Sequence, residues 1–284
     1  MALRINYNFE SVSAQRNLSQ TQGSFFKAIE QLSSGLRINK AGDDAAGLAV
    51  SEKLKNQVRG LNQAQRNAQD SISLLQTAEG ALNETHSILA RMRELAVQSS
   101  NDTLTNADRL HIQDEVNQLL SEVDRIAAST QFNTIKLLDG NGAQSVQFHV
   151  GANFETGDFA NELNFTLGDA STAGISVANL ATGNAQSLTT QSGSNAAISV
   201  LDTAIEDISS RRGAIGAMQN RLTSTINSLG VAAENTGAAN SRIRDADVAS
   251  AVSEMVRNQI LQQSTMAVLA QANQAPQMAL QLLK

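Results

Sequence analysis

Three histidines and the adjacent carboxylates Asp43 and Asp44 are residues of this 284-residue chain whose types could do chemistry. His86, His111 and His149 are followed by Ser-Ile-Leu-Ala, Ile-Gln-Asp-Glu and Val-Gly-Ala-Asn. None therefore opens the His-Glu-x-x-His pattern that sets two imidazoles on one helix face around zinc, and they read as dispersed surface or interfacial side chains. Asp43 and Asp44 could serve as a metal or acid–base pair, but no histidine or third acid lies close to them in sequence. Gly42 before them and the helical run after them make them a break and an N-cap. The absence of cysteine removes disulfides, thiolate metal sites and cysteine nucleophiles. No glycine-rich phosphate loop, nucleophile elbow or dinucleotide fingerprint occurs. No metal or cofactor is implied, and an enzyme, which needs a converging set of acid, base or ligand groups, is the disfavoured class.

The elements that would position these groups point to assembly. Apolar residues recur at an unbroken spacing of seven: Leu54, Leu61, Ala68, Leu75, Leu82, Leu89 and Ala96. A second ladder comprises Leu201, Ile208, Ile215, Leu222 and Leu229. A seven-residue repeat marks helices that bury a narrow seam against other helices. The first ladder lies within residues 44–99, which contain no proline; as one helix they would reach roughly 80 Å. Only 3% of the chain is aromatic and its one proline is Pro276, so burial falls to aliphatic seams and little interrupts long helices.

The net charge of −6 is uneven: residues 1–42 carry +3, residues 43–240 carry −10 and residues 241–284 carry +1. An acidic body argues against nucleic acid as a partner and suits a surface kept in solution by self-repulsion. The N-terminus has no uninterrupted apolar run and no small-residue cleavage site of a secretory signal, and no stretch of 18 apolar residues predicts a membrane span.

Along the chain, an amphipathic helix with Leu18, Phe25, Phe26, Ile29, Leu32 and Leu36 ends around Gly35. The long helix runs to about Ser99, and a further helix carries Ile112, Val116, Leu119, Val123 and Ile126. Alternation predicts two strands, one with Val146, Phe148 and Val150 and one with Leu163, Phe165 and Leu167. Residues 168–195 read as exposed loop and short β structure. A second long helix is expected over about Asn195–Thr236, a break at Glu-Asn-Thr-Gly-Ala-Ala-Asn-Ser, and a last helix over about Asp245–Leu283, loosened at Pro276. Gly60, Gly80, Gly213 and Gly216 fall inside helices, and close backbone packing is the expected reason. The fold class is mainly α: long antiparallel helices in a coiled-coil-like rod, a small β-hairpin region, and terminal helices paired with each other. Each terminal segment alone has too little apolar surface to offset the entropy of ordering it, so both are expected to be largely unordered in a monomer.

Leu32–Leu54, LSSGLRINKAGDDAAGLAVSEKL, closely resembles the N-terminal hallmark of bacterial flagellins, and Ser241–Lys284 resembles their C-terminal hallmark. Gln76–Ser100 and Thr130–Gly140 are similar to the same family. The resemblance covers about residues 30–140 and 195–284. It implies a secreted subunit of the extracellular filament, exported unfolded through the flagellar type III apparatus and partnered by copies of itself. A secretion chaperone, a cap protein and hook-associated junction proteins are further implied partners; a hook–filament junction protein is the alternative reading. The implied segments are 1–43 and 241–284 as an inner helix pair, 44–140 and 195–240 as rod helices, and 141–194 as a short hairpin and loop region. The usual outer domains have no room here.

The resemblance also implies site residues. Arg91 and Leu95 match the patch through which a Toll-like receptor recognises many flagellins, and Glu115 occupies a matching place. The same residues contact neighbouring subunits along a protofilament, which we read as their primary use. Leu280, Leu282 and Leu283 match C-terminal leucines used in terminal packing and chaperone binding, and packing within a helix core accounts for them equally well. The packing seam is assigned to Leu54, Leu61, Leu75, Leu82, Leu89, Leu201, Ile208, Ile215, Leu222 and Leu229.

Overall fold

The computed structural model describes residues 8–140, 145–153 and 161–281, with side chains up to Gln274 in the last range. Five α-helices dominate it: α1 (Phe9–Ser34), α2 (Ala45–Ser99), α3 (Asn106–Ser129), α4 (Gln191–Arg244) and α5 (Val248–Gln281). Two antiparallel hairpins lie between α3 and α4, formed by β1 (Gln131–Phe132) with β2 (Ile135–Lys136) and β3 (Val146–His149) with β4 (Glu162–Phe165). The chain divides into two compact units, Gln57–Ala233 and the remainder from both ends.

In the Gln57–Ala233 unit the ladders are the core. Leu61, Ala68, Leu75, Leu82, Leu89 and Ala96 are all buried, as are Leu201, Ile208, Ile215, Leu222 and Leu229 across from them. Leu54 is half-buried and belongs to the other unit. A companion row three residues after the α2 ladder is equally buried: Ala64, Ser71, Ala78, Thr85, Met92 and Ser99. Small residues in this row let the helices approach. The hydroxyls of Ser71 and Thr85 donate to their own helix, to the Asn67 and Ala81 carbonyls at 2.7 and 3.1 Å, so neither is left unpaired. Contacts Ser99–Ser194, Arg93–Asp202 and Glu79–Gln219 fix α2 and α4 as antiparallel.

The α3 helix starts on a reciprocal capping box, Thr105 with Asp108. Its buried line is rotated from the apolar stripe expected from sequence: Arg109, Gln113, Val116, Leu120, Val123 and Ala127 face the core, while Ile112, Leu119 and Ile126 flank it. The two polar members close backbone groups. The Arg109 guanidinium donates to the Ser99 and Asn101 carbonyls at 2.8 and 3.0 Å, capping the C-terminal end of α2 where a cation is favoured.

The expected strands appear as β3 and β4, in a register that sets Phe148 opposite Leu163 and buries both. The tighter hairpin β1–β2 was not anticipated. Its two central residues, Asn133 and Thr134, have φ of 47° and 68°, the geometry whose twist matches the flanking strands. Thr134 is β-branched and strained there, unlike the glycine that usually signals such a turn.

Residues 168–190 depart from expectation. They contain no strand, only a single 3-10 turn (Ala178–Leu180), and they are not an exposed loop: Ala170, Ile175, Val177, Leu180 and Leu188 are buried in the core. Side chains of α3 supply the backbone partners that a sheet would otherwise provide. Asp124 accepts from the Thr172 N–H at 2.8 Å, Gln113 donates to the Leu180 carbonyl at 2.8 Å and accepts from the Leu188 N–H at 2.6 Å, and Asn117 accepts from the Thr182 N–H at 3.3 Å while donating to the Thr182 hydroxyl at 2.7 Å.

The expected break at Glu234–Ser241 is also absent: α4 continues to Arg244, since Gly237 lies in open space and no proline interrupts the run. Helix α5 likewise continues past Pro276 to Gln281. Of the four helical glycines singled out in the sequence, Gly60 alone supports close packing, because a Cβ there would meet Ala152 at 3.0–3.3 Å. Gly80, Gly213 and Gly216 have nothing within 4 Å, so packing within the chain does not explain them.

Gln113→Ala should leave the Leu188 N–H and the Leu180 carbonyl without their partners. We expect a loss of about 1–3 kcal/mol of stability by chemical denaturation, with faster amide exchange over residues 178–188. An unchanged denaturation midpoint and unchanged protection would contradict the role assigned to this side chain.

Candidate assembly surfaces

In the unit formed by the two ends of the chain, α1 and α5 run antiparallel. The Asn8 side chain caps α1 by accepting from the Ser11 N–H at 3.1 Å and donates to the Ala272 carbonyl at 2.7 Å, while Ser11 donates to Asn273 at 2.8 Å. The α1 side of the seam is Ser11, Ala14, Leu18, Thr21, Phe25, Ala28 and Leu32, in steps of three and four. The α5 side is Ala251, Met255, Asn258, Gln262, Thr265, Leu269 and Ala272, and every other α5 residue from Ala249 to Gln274 is exposed. This is a heptad seam, but nine of its fourteen residues are small or polar, the large apolar ones being Leu18, Phe25, Leu32, Met255 and Leu269.

Many large apolar side chains point the other way. Phe9, Phe26, Ile260, Val248 and Val268 are 65, 60, 60, 56 and 55% exposed, and Val12, Ile29, Val252, Val256, Leu261 and Met266 are exposed as well. On α5 they surround the helix. They are interspersed with exposed polar residues such as Glu254, Arg257, Gln259 and Gln263, and exposed large apolar side chains in this number are ones that other helices can cover. Phe26 and Ile29, which the sequence suggested for the inner stripe, are outside; the seam takes Leu18, Phe25 and Leu32 instead.

The connectors between helices close this unit. Gly35, with φ of 70°, ends α1 in the left-handed conformation, and its carbonyl accepts from the Ala246 N–H at 2.9 Å. Leu36 bridges Asp245, and the Arg37 N–H donates to the last carbonyl of α4, Arg244, at 2.7 Å. The Arg37 guanidinium adds donors to the Ile243 carbonyl at 2.6 and 3.2 Å, so one residue caps α4 from the opposite terminal segment. Arg244 in turn pairs with Glu52, and Ile38 is buried beneath the connector. Asp44 caps α2, accepting from the Gly47 N–H at 2.8 Å. Asp43 is ion-paired with Lys27 at 2.7 Å and accepts from the Lys40 and Asn39 N–H groups at 3.1 and 3.2 Å. These bonds, Lys27 foremost, hold the Asp43 carboxyl down to about 2. Both aspartates thus have structural partners.

In the Gln57–Ala233 unit, Arg91 and Glu115 do come together on the surface. The Arg91 guanidinium donates through Nε and Nη2 to Glu115 at 3.1 and 3.0 Å, and through Nη1 to Glu94 at 3.1 Å. Glu115 and then Glu94 raise the Arg91 pKa further above its ordinary value. Leu95 is not part of this exposed patch: it is 2% exposed and packed in the core beside Ala96. A partner could touch Leu95 only by opening the core of this unit.

His86 and His149 are half-buried, His111 is exposed, and among the described residues no three of His, Asp and Glu gather as metal ligands. The side chain of Leu280, and Leu282 and Leu283 entirely, lie outside the described residues. The side chains that sequence reasoning missed are those of the connectors, Arg37, Arg244 and Glu52. Their only signals were charges on or near helices, Arg37 after α1, Arg244 at the end of α4 and Glu52 within α2, too common to single them out. Among the described residues no helix is long and apolar enough to cross a membrane.

The comparisons with known proteins agree on one family. Residues 5–143 match the model of the bacterial flagellin N-terminal helical region, and residues 198–283 that of the C-terminal helical region. The chain is 51% identical over 280 residues to a flagellin of Halalkalibacterium halodurans, covering 99% of each chain. It is 46% identical over 289 residues, again covering 99% of each, to a flagellar filament 33 kDa core protein of Treponema phagedenis. Among solved structures, a putative flagellar hook-associated protein of Vibrio parahaemolyticus shares the fold, with TM-score 0.59, 14% identity and coverage of 72% of this chain and 100% of that one.

The Asp43 carboxyl carries a pH dependence of definite sign. Its pKa in the folded chain is depressed from 3.8, so its stabilising contribution is complete above that value and is lost as pH falls through about 2. An NMR titration of Asp43 in the assembled filament should show this low midpoint, and Lys27→Met should move it back toward 3.8. A parent midpoint already near 3.8 would remove the proposed tie between α1 and the connector.

Proposed function

Given that this chain belongs to the bacterial flagellin family and is a structural subunit of the extracellular flagellar filament, we propose that its copies join chiefly through the outward faces of α1 and α5. The observation that carries this is the make-up of the terminal pair, in which most intramolecular seam positions are small or polar while Phe26, Ile260 and Val268 stand in water. Covering one such side chain fully is worth about 1.5–3 kcal/mol, so each neighbouring copy adds to the hold on a subunit. The pair on its own offers little to offset the entropy of ordering some sixty residues. On this reading the ends are largely unordered in a free subunit and fold as copies stack, so that folding and assembly share one free energy.

In the assembled filament, residues 1–43 and 241–284 form the inner helix pair, and 44–140 with 195–240 form the surrounding rod, completed by the 141–194 region. The Arg91–Glu94–Glu115 patch contacts the next copy along a protofilament, supported from beneath by Leu95. A Toll-like receptor reads the same patch in the monomer as a secondary use. An exposed ion pair adds little affinity by itself, so the patch sets register more than strength. Absence of cysteine and weakly ordered ends suit export of the unfolded chain by the type III apparatus. The secretion chaperone engages Leu280, Leu282 and Leu283 before assembly, and the cap and hook-associated junction proteins meet the filament's ends.

Fold likeness to a hook-associated protein favours a junction role only at the level of architecture. Electron microscopy separates the two, since seeded long filaments fit the main reading and short capped assemblies the other.

Limited proteolysis of the monomer should cut first within residues 8–34 and 248–274 and spare residues 57–233. Ends as resistant as that unit would refute the coupling of folding to assembly. Arg91→Ala should abolish receptor activation by the monomer and shorten filaments; full activity and normal filaments would remove the patch from both roles.

A further inference from the structure

The middle of the α1–α5 seam holds two amides. Asn258 and Gln262 are neighbours on the seam, one turn apart, each half-buried. Neither side chain has a hydrogen-bond partner among the described residues. The hydroxyls sharing the seam behave differently: Thr21 and Thr265 donate to their own helices, at Asn17 and Leu261, over 2.8 and 2.7 Å. Apolar residues were at hand for these positions. Val256, Ile260 and Leu261 flank the two amides on the same turns of α5 and are exposed. An amide in a helix seam gives up part of its water without gaining a partner there, which weakens the pair where a leucine would tighten it.

We propose that Asn258 and Gln262 are the residues that keep the terminal helix pair from folding in a free subunit. The inference rests on the reading that the ends are unordered before assembly, and it assigns that property to two side chains rather than to low apolar content in general. With Asn258→Leu and Gln262→Leu together, leucines would fill the gap between Met255 and Leu269 on α5. That side would then face Leu18, Phe25 and Leu32 of α1 as an ordinary coiled-coil seam. The parent seam leaves the large outward side chains as the main source of attraction, and only other copies can supply it.

The test uses the full-length monomer and trypsin, because Arg16 on α1 and Arg257 on α5 are both exposed reporters. Asn258→Leu with Gln262→Leu should slow cleavage at Arg16 and Arg257 by about tenfold or more, as the open form becomes less populated, and raise helix content by circular dichroism. Asn258→Leu alone should give a smaller change of the same sign, and serves if the double variant self-associates. Gln259→Leu with Gln263→Leu places the same side chains on exposed positions of α5 and should leave cleavage unchanged. An unaltered cleavage rate within residues 57–233 serves as the check that the rest of the chain is folded. Parent ends that are labile, with equally labile ends in the seam variants, would overturn this inference alone. Equal protection by the Gln259 and Gln263 variants would overturn it as well, by removing the seam from the explanation. Parent ends that already resist trypsin would sink both this inference and the reading beneath it.

Discussion

A helix buries one stripe well, and the central constraint on this protein is which residues occupy that stripe. In the Gln57–Ala233 unit the stripes of α2 and α4 are filled by Leu75, Leu82, Leu89, Leu201, Ile208 and Leu222, essentially dry. Burial of such side chains at core density supplies the stability against which everything else is arranged. The companion row of Ala64, Ser71, Ala78 and Thr85 matters as much, because it leaves room for the facing ladder. Large residues in one row and small ones in the next produce an interlocking seam over many turns.

Irregular backbone against such a core needs partners for its polar groups, and α3 provides them. Arg109, Gln113 and Asn117 follow one another at steps of four along the helix. The first closes the end of α2, and the other two hold residues 180–188. A segment rich in glycine, serine and threonine can then run over an apolar interior without strands of its own. The same device recurs at the other unit, where Arg37 caps α4 across the chain and Gly35 receives Ala246. In both places an arginine donates to the carbonyls at a helix C-terminal end, which satisfies orphan acceptors and complements the helix dipole at once.

The terminal pair applies the stripe rule in reverse. Its inner positions hold alanine, serine, threonine, asparagine and glutamine, with few large residues, while its outer faces carry phenylalanine, valine and isoleucine. A free pair built this way is weak, and its outer surface is what neighbouring copies cover. Stability in the rod and incompleteness at the ends are therefore two uses of one pattern, and together they suit a subunit that belongs in a filament.

Much of this was legible in the order of residues alone. A strict seven-residue spacing of Leu, Ile and Ala can be read without coordinates because heptad burial repeats with the helix itself, so α2, α4 and their seam were determined, as were the α1 stop at Gly35 and the Asp44 cap. Alternation likewise marked β3 and β4. What depends on neighbours in space was decided only by the tertiary structure. It rotated the α3 stripe to bury Arg109 and Gln113, drew residues 168–190 into the core, ran α4 through to Arg244 and set Leu95 inside. It also chose Phe25 rather than Phe26 for the terminal seam, since two adjacent apolar residues point about 100° apart on a helix and only the position of the partner says which one is covered.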